Sequence, residues 1–170
     1  MRKLWAILGS ALFFLIAPVT VGVIVPLGIA GWRVGPPLLG IPFIRALGFL
    51  LVVVGAIPLI ESFVRFALVG LGTPAPIAPT QHLVVSGFYR YVRNPMYVGV
   101  LAIIIGNALI LGDTDLFAYA AFIVVAFVLF VGFYEEPALR RQFGDEYKEF
   151  CANVPRWWPR LTPWRPATQE

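Results

Sequence analysis

From residue 4 to residue 30 the chain carries no charged side chain, and the same holds from 96 to 111 and from 116 to 134. A helix crosses the hydrocarbon core of a bilayer in roughly 20 residues. Inside lipid every backbone N–H and C=O must be satisfied within the segment, which leaves helices or closed barrels as the only spanning structures. Apolar residues make up 59% of the chain, charged residues only 13%, and mean hydropathy is +0.84. Soluble domains carry about a quarter charged residues. The uncharged runs lack the alternation of barrel strands, so the chain reads as an all-α, polytopic helical membrane protein with about four transmembrane helices.

The first run, 4–30, is too long for a secretory h-region of about 7–15 residues, and Ala17-Pro18-Val19 is a poor cleavage site. It reads as a retained helix, bent near Pro18 or Pro26, because proline removes a backbone donor and clashes with the preceding turn. A Gly/Pro-rich turn over 31–42 leads to a second span over 43–69. There Glu61 and Arg65 stand four apart and share a face, either as an ion pair at headgroup level or as part of a site. Over 70–97, prolines such as Pro74, Pro76 and Pro79 prevent a continuous helix. A hairpin follows, with arms over 96–111 and 116–134 joined by Gly112-Asp113-Thr114-Asp115; its first arm falls short of a full crossing. All of the 13 Lys and Arg except Arg33 and Arg45 lie at the N-terminus, between Arg65 and Arg93, or in the tail. By the positive-inside rule both termini are therefore cytoplasmic. The same topology brings Arg90, Arg93, Glu135 and Glu136 to adjoining ends of the hairpin.

The chain thus divides as a single membrane domain into two spans (1–69), a core (70–160) and a tail (161–170). Within the C-terminal amphipathic cytoplasmic segment, Leu139, Phe143, Tyr147 and Phe150 share one side of a helix over 138–151. That stripe suits an interfacial aromatic belt, or a lid over the charged cluster. Glu135 and Glu136, read as the end of a helix, oppose its dipole and call for cations; Arg90, Arg93, Arg140 and Arg141 are the candidates. Such a cluster is either a structural network or a polar pocket for a ligand with a carboxylate and cationic or hydroxyl groups. With one cysteine and one histidine no metal site is expected, and nothing points to a nucleic-acid partner. Ser62, Ser86 and Cys151 lack a base for covalent catalysis. No phosphate-binding glycine loop is present either, so any reaction must rely on positioning.

Three motifs in order carry a resemblance: Gly87-Phe88-Tyr89-Arg90-Tyr91-Val92-Arg93-Asn94-Pro95-Met96-Tyr97-Val98-Gly99; Glu135-Glu136; and Phe143-Gly144-Asp145-Glu146-Tyr147 followed by Val154-Pro155-Arg156. Together they resemble the isoprenylcysteine carboxyl methyltransferase and phospholipid methyltransferase superfamily over about residues 70–160. The first two spans do not contribute to it. The resemblance implies an S-adenosyl-L-methionine-dependent methyltransferase with a cytoplasmic cofactor pocket between hairpin and tail. Its acceptor is a lipid or prenylated small molecule that enters among the membrane lipids. By motif position Arg93, Asn94, Pro95, Tyr97, Glu135 and Glu136 meet the cofactor, and Tyr89, Tyr97 or Tyr147 covers its adenine face or sulfonium. Of Arg90 and Arg93 one binds the cofactor carboxylate and the other orients the acceptor, which with Asn94 makes them the candidate catalytic residues. Carboxyl O-methylation, as in the isoprenylcysteine enzymes, is the first expectation. Asn94, where those enzymes usually have histidine, is similar to the phospholipid N-methyltransferase branch. The rivals are a non-catalytic lipid-binding or assembly protein, which would have lost the acidic or arginine pair, and a transporter, for which no mid-membrane charge offers a path.

Overall fold

The computed structural model describes residues 2–68 and 82–165. Every regular element among them is helical. Helix α1 (Arg2–Ile16) runs into a turn at Ala17 just before Pro18, then a π-helical turn over Thr20–Ile24 and α2 (Val25–Ile29). The helical path nevertheless continues, with Ala17 N–H bonded to Phe13 O at 2.8 Å and Val21 N–H to Ala17 O at 2.9 Å, so that Ala11–Ile29 forms one apolar helix. Helix α3 is Phe43–Leu68, α4 is Pro95–Leu111 and α5 is Asp115–Phe130. Three helices among the described residues are long and apolar enough to span a bilayer: Ala11–Ile29, Phe43–Phe66 and Asp115–Asn153. Pro95–Leu111 (α4), apolar but 17 residues long, is shorter than each of these three continuous helices. The irregular stretch expected after residue 69 lies outside the described residues up to 81.

α4 is the centre of the bundle, with Ile104 and Ala108 wholly buried. It lies antiparallel against α3 on two pairs of glycines, Gly48 with Gly106 and Gly55 with Gly99, seven residues apart on each helix. A Cβ on Gly55 would stand 2.6 Å from the Gly99 carbonyl oxygen, and one on Gly48 2.7 Å from that of Gly106. Small residues at such a seam let backbones touch where lipid supplies no hydrophobic drive. Gly55→Val is accordingly expected to lose about 1–3 kcal/mol of unfolding free energy through overpacking. Gly28→Ala, where an added Cβ meets nothing within 4 Å, is the neutral control in the same unfolding assay.

The first span is tied on by polar groups. The π turn leaves carbonyls of Val21 and Gly22 to accept from Tyr119 Oη at 3.0 Å and Asn107 Nδ2 at 2.8 Å. Phe13 and Phe14 also meet the Phe63 ring at centroid distances of 6.2 and 5.0 Å.

Two expectations about the C-terminal part are corrected. The acidic pair does not end a helix: α5 passes through a π turn (Val131–Glu135) into α6 (Glu136–Asn153). Pro137 has no N–H for the carbonyl of Phe133, four residues back. The helix widens there, with Glu136 N–H reaching Val131 O, instead of stopping. The dipole argument for cations thus falls away, although the cations are present for another reason given below. The aromatic stripe of α6 is also not a membrane-surface belt. Tyr147, Phe150 and Val154 are buried against Val84, Val85 and Tyr89, with Leu139 and Phe143 packed around them. The kink at Gly144 (φ 52°, ψ −121°), a conformation open in practice to glycine alone, redirects the second half of α6.

Candidate functional site

The motif 86–94 forms a 3₁₀ turn, Gly87–Arg90, and then the entry to α4, whose first residue Pro95 presets the helical φ and needs no donor partner. The tail is built onto this segment by backbone bonds: Arg93 N to Pro155 O, Arg160 N to Tyr91 O and Trp164 N to Arg90 O, each 2.9 Å. Asn94, 8% exposed, donates its side-chain amide to Arg156 O at 3.0 Å. Its donor group therefore holds the tail.

Neighbouring glutamates have different surroundings. Glu136 is 4% exposed and receives three charge-assisted bonds. Arg156 donates through Nε to Oε1 at 2.7 Å and through Nη2 to Oε2 at 2.8 Å, while Arg93 Nη1 donates to Oε1 at 3.1 Å. Arg140 Nη2 stands further off at 3.9 Å. A carboxylate gripped by an arginine fork and a second guanidinium is satisfied from within the protein. Arg93 also donates to Cys151 Sγ at 2.7 Å, and its Nε is buried without a partner. Glu135 is only half-buried, and no cation among the described residues lies within ion-pair distance of it. Its one hydrogen bond there is from Tyr97 Oη to Oε2, at 2.8 Å.

Glu135 and Tyr97 border a cavity of about 140 Å³ that is otherwise apolar, lined by Pro18, Leu59, Phe63 and Phe127 among others. Tyr97 is flanked by Phe127 at 4.6 Å and Trp157 at 6.4 Å between ring centroids. An uncompensated carboxylate beside aromatic faces is an environment for a cation. The other two tyrosines do not reach the cavity. Tyr147, 3% exposed, packs on Phe150; Tyr89, 6% exposed, packs on Phe66. Burial, with the negative charge of Glu135 second, holds the Tyr89 phenol well above its ordinary value. It stays a neutral hydroxyl rather than a base. Arg90 turns away from the glutamates, its Nε donating to Trp164 O at 2.7 Å.

Arg156 and Cys151 are the functional neighbours that sequence reasoning missed. For Arg156 the signal was present in Val154-Pro155-Arg156, where proline fixes its own φ and restricts Val154 before it, so that the charged side chain follows a stiff stretch of backbone. Spacing along the chain carried no indication that Glu136 is its partner.

Compared with known proteins, the sequence model described as phospholipid methyltransferase matches residues 43–146, more than half of the chain. The chain belongs to the phospholipid methyltransferase family. Neither the curated proteins nor the solved structures contain a match. As a member of this family the protein is an integral membrane methyltransferase. The match begins at Phe43, so the second span is part of the phospholipid methyltransferase core, whereas the motifs alone placed the start near residue 70. The reason is packing: α3 carries the glycine seam on which α4 lies, and α4 opens with the Arg93-Asn94-Pro95 motif.

Proposed function

We propose that the protein transfers a methyl group from S-adenosylmethionine to a lipid-like amphipathic acceptor at the cytoplasmic face of the membrane. The observation that carries this reading is the divided acidic pair, with Glu136 neutralised by protein arginines and Glu135 left with its charge uncompensated beside Tyr97. The residues suit the cofactor: Glu135 complements a positive centre, and the unpartnered Nε of Arg93 is a donor for a carboxylate. S-adenosylmethionine supplies a methyl group on a sulfonium, which moves to a nucleophile held in line and out of water.

Glu136 and Arg156 hold Arg93 in place, Asn94 fixes the tail over the motif, and Tyr97 orients the Glu135 carboxylate. At about 140 Å³ the cavity is below the ~300–1,000 Å³ of usual small-molecule sites. It suits the narrow alkyl part of the acceptor. An amine acceptor is favoured over a carboxylate one, because Glu135 at the polar end repels a carboxylate but attracts an ammonium, which gives a proton to the carboxylate so that the free amine lone pair can take the methyl group; the family match supports the same choice. The cytoplasmic placement rests on the distribution of Lys and Arg.

The test is calorimetric titration of S-adenosylmethionine into the detergent-purified protein, followed by labelled methyl transfer to phosphatidylethanolamine and to a prenylcysteine. Saturable binding and labelled lipid are expected. A folded protein that binds no cofactor would overturn the reading, and label on the prenylcysteine alone would restore the carboxyl acceptor.

A further inference from the structure

Methyl transfer to an amine leaves one proton behind in every turnover. Glu135 takes it from the ammonium; the methyl group then moves from sulfur to the nitrogen lone pair, and the electrons of the broken S–C bond stay on sulfur. The carboxylate must lose that proton before it can act again. Glu135 borders the cavity, and an acceptor lying there covers that side of it. Tyr97 is no exit, because its hydroxyl donates to Glu135 Oε2 and its ring is flanked by Phe127 and Trp157.

A second space lies behind the cavity. Between the end of α3 and the 3₁₀ turn is a cleft of about 480 Å³, lined by Glu61, Arg65, Val85 and Ser86 among others, and no residue lines both spaces. Tyr89 stands in the partition. Its ring packs on Phe66, which lines the cavity, and against Val85, which lines the cleft. Its hydroxyl is in hydrogen-bond contact with Ser62, a wholly buried residue of α3, and lies in the field of both Glu135 and Glu61. The Ser62 O–H donates to Pro58 O at 2.6 Å, so its oxygen is left to accept from Tyr89. Glu61 stands at the far end of this row. Its Oε1 accepts from Arg65 Nε, and a Cβ on Gly87, two residues before Tyr89, would collide with that same oxygen. Glu61 Oε2 faces inward, buried and without a protein partner, as does Ser86 Oγ; atoms so placed ordinarily meet ordered water. The Glu61 side chain as a whole is 26% exposed and lines the cleft, near the end of the span Phe43–Phe66. A proton on Glu61 has therefore reached solvent.

We infer that Tyr89 and Ser62 relay the proton of each turnover from Glu135 to Glu61, and through Glu61 to the cleft. The inference rests on the amine reading above, since methylation of a carboxylate oxygen leaves no proton to export. Tyr89 takes a proton on its oxygen as it passes its own to Ser62, and so remains a neutral hydroxyl. Ser62 passes its proton on when its O–H turns from Pro58 O toward Glu61, and Glu61 gives it to water; a bridging water carries any step longer than a direct hydrogen bond. Arg65 balances the Glu61 carboxylate between turnovers.

The full chain in detergent is mixed with methyl-labelled S-adenosylmethionine and dihexanoyl-phosphatidylethanolamine, and labelled lipid is followed from the first turnover onward. The first turnover starts from an ionised Glu135 and needs no relay, whereas every later one does. Tyr89→Phe and Ser62→Ala are each expected to give a burst of about one methyl group per protein, then a steady rate about tenfold below the parent's. Imidazole buffer, an external proton acceptor, should recover part of that rate, and S-adenosylhomocysteine affinity should be unchanged. A hydroxyl that served only packing would slow the first turnover and the later ones alike, with no burst and no response to imidazole. The two variants lie on different elements, so either keeps the test open if the other fails to fold. The relay is overturned if the folded variants turn over as the parent does, or if they lose the first turnover along with the rest. A parent that transfers no methyl group to the amine would overturn the amine reading and the relay with it; an active parent with unaltered variants overturns the relay alone.

Discussion

Glu136→Gln is expected to destabilise the protein by about 3 kcal/mol, because it strips the charge from the one carboxylate that Arg93 and Arg156 share. Breaking a buried pair costs more than the pair contributes, since the stranded guanidinium can neither reach water nor find another anion. Arg93 is the more deeply placed, its side chain 12% exposed; Arg156 at 38% recovers part of its hydration, which keeps the estimate at the low end of the usual range. The loss should appear as earlier unfolding by circular dichroism in a detergent titration. Glu135→Gln, whose carboxylate has no cation partner among the described residues, should unfold with the parent. A Glu136→Gln protein as stable as the parent would show that the network contributes nothing to the fold.

Glu135→Gln should instead act on ligand binding. Glutamine keeps an oxygen to accept from Tyr97 but removes the charge. S-adenosylmethionine is positively charged at sulfur, and S-adenosylhomocysteine is not. If Glu135 faces the sulfonium, affinity for the first should fall about tenfold or more, equivalent to 1.4 kcal/mol, while affinity for the second changes much less. Parallel isothermal titrations measure both. Equal losses would place Glu135 on the amino or ribose groups that the two share, and no loss in either would remove it from the cofactor site.

Part of this site was legible in the sequence. Arg93, Asn94, Tyr97 and the acidic pair stand close together in the fold, because a short turn forces the hairpin arms to be antiparallel and brings their ends to one side. Tyr89 and Tyr147 were less legible. A tyrosine beside a charged motif looks the same in sequence whether its ring meets a ligand or the protein interior, and both meet the interior. The glycine seam of Gly48, Gly55, Gly99 and Gly106 was written in the chain at spacings of seven on both helices. Its meaning depends on which two helices are neighbours, and the order of spans does not state that.

The sequence by itself determined the spans and the local turn at Ala17 before Pro18. Within a bilayer each helix must satisfy its own backbone, so hydropathy and proline placement act locally and can be read locally. Only the tertiary structure decided how the two glutamates divide their work. Consecutive residues on a helix point in directions about 100° apart. Beyond the π turn, one carboxylate is directed to Tyr97 and the cavity, the other to Arg93 and to an arginine twenty residues later in the tail. Which of them keeps its charge for a ligand depends on the path of that tail, and the path is held by backbone bonds to the 90–93 segment rather than by any local pattern of residues.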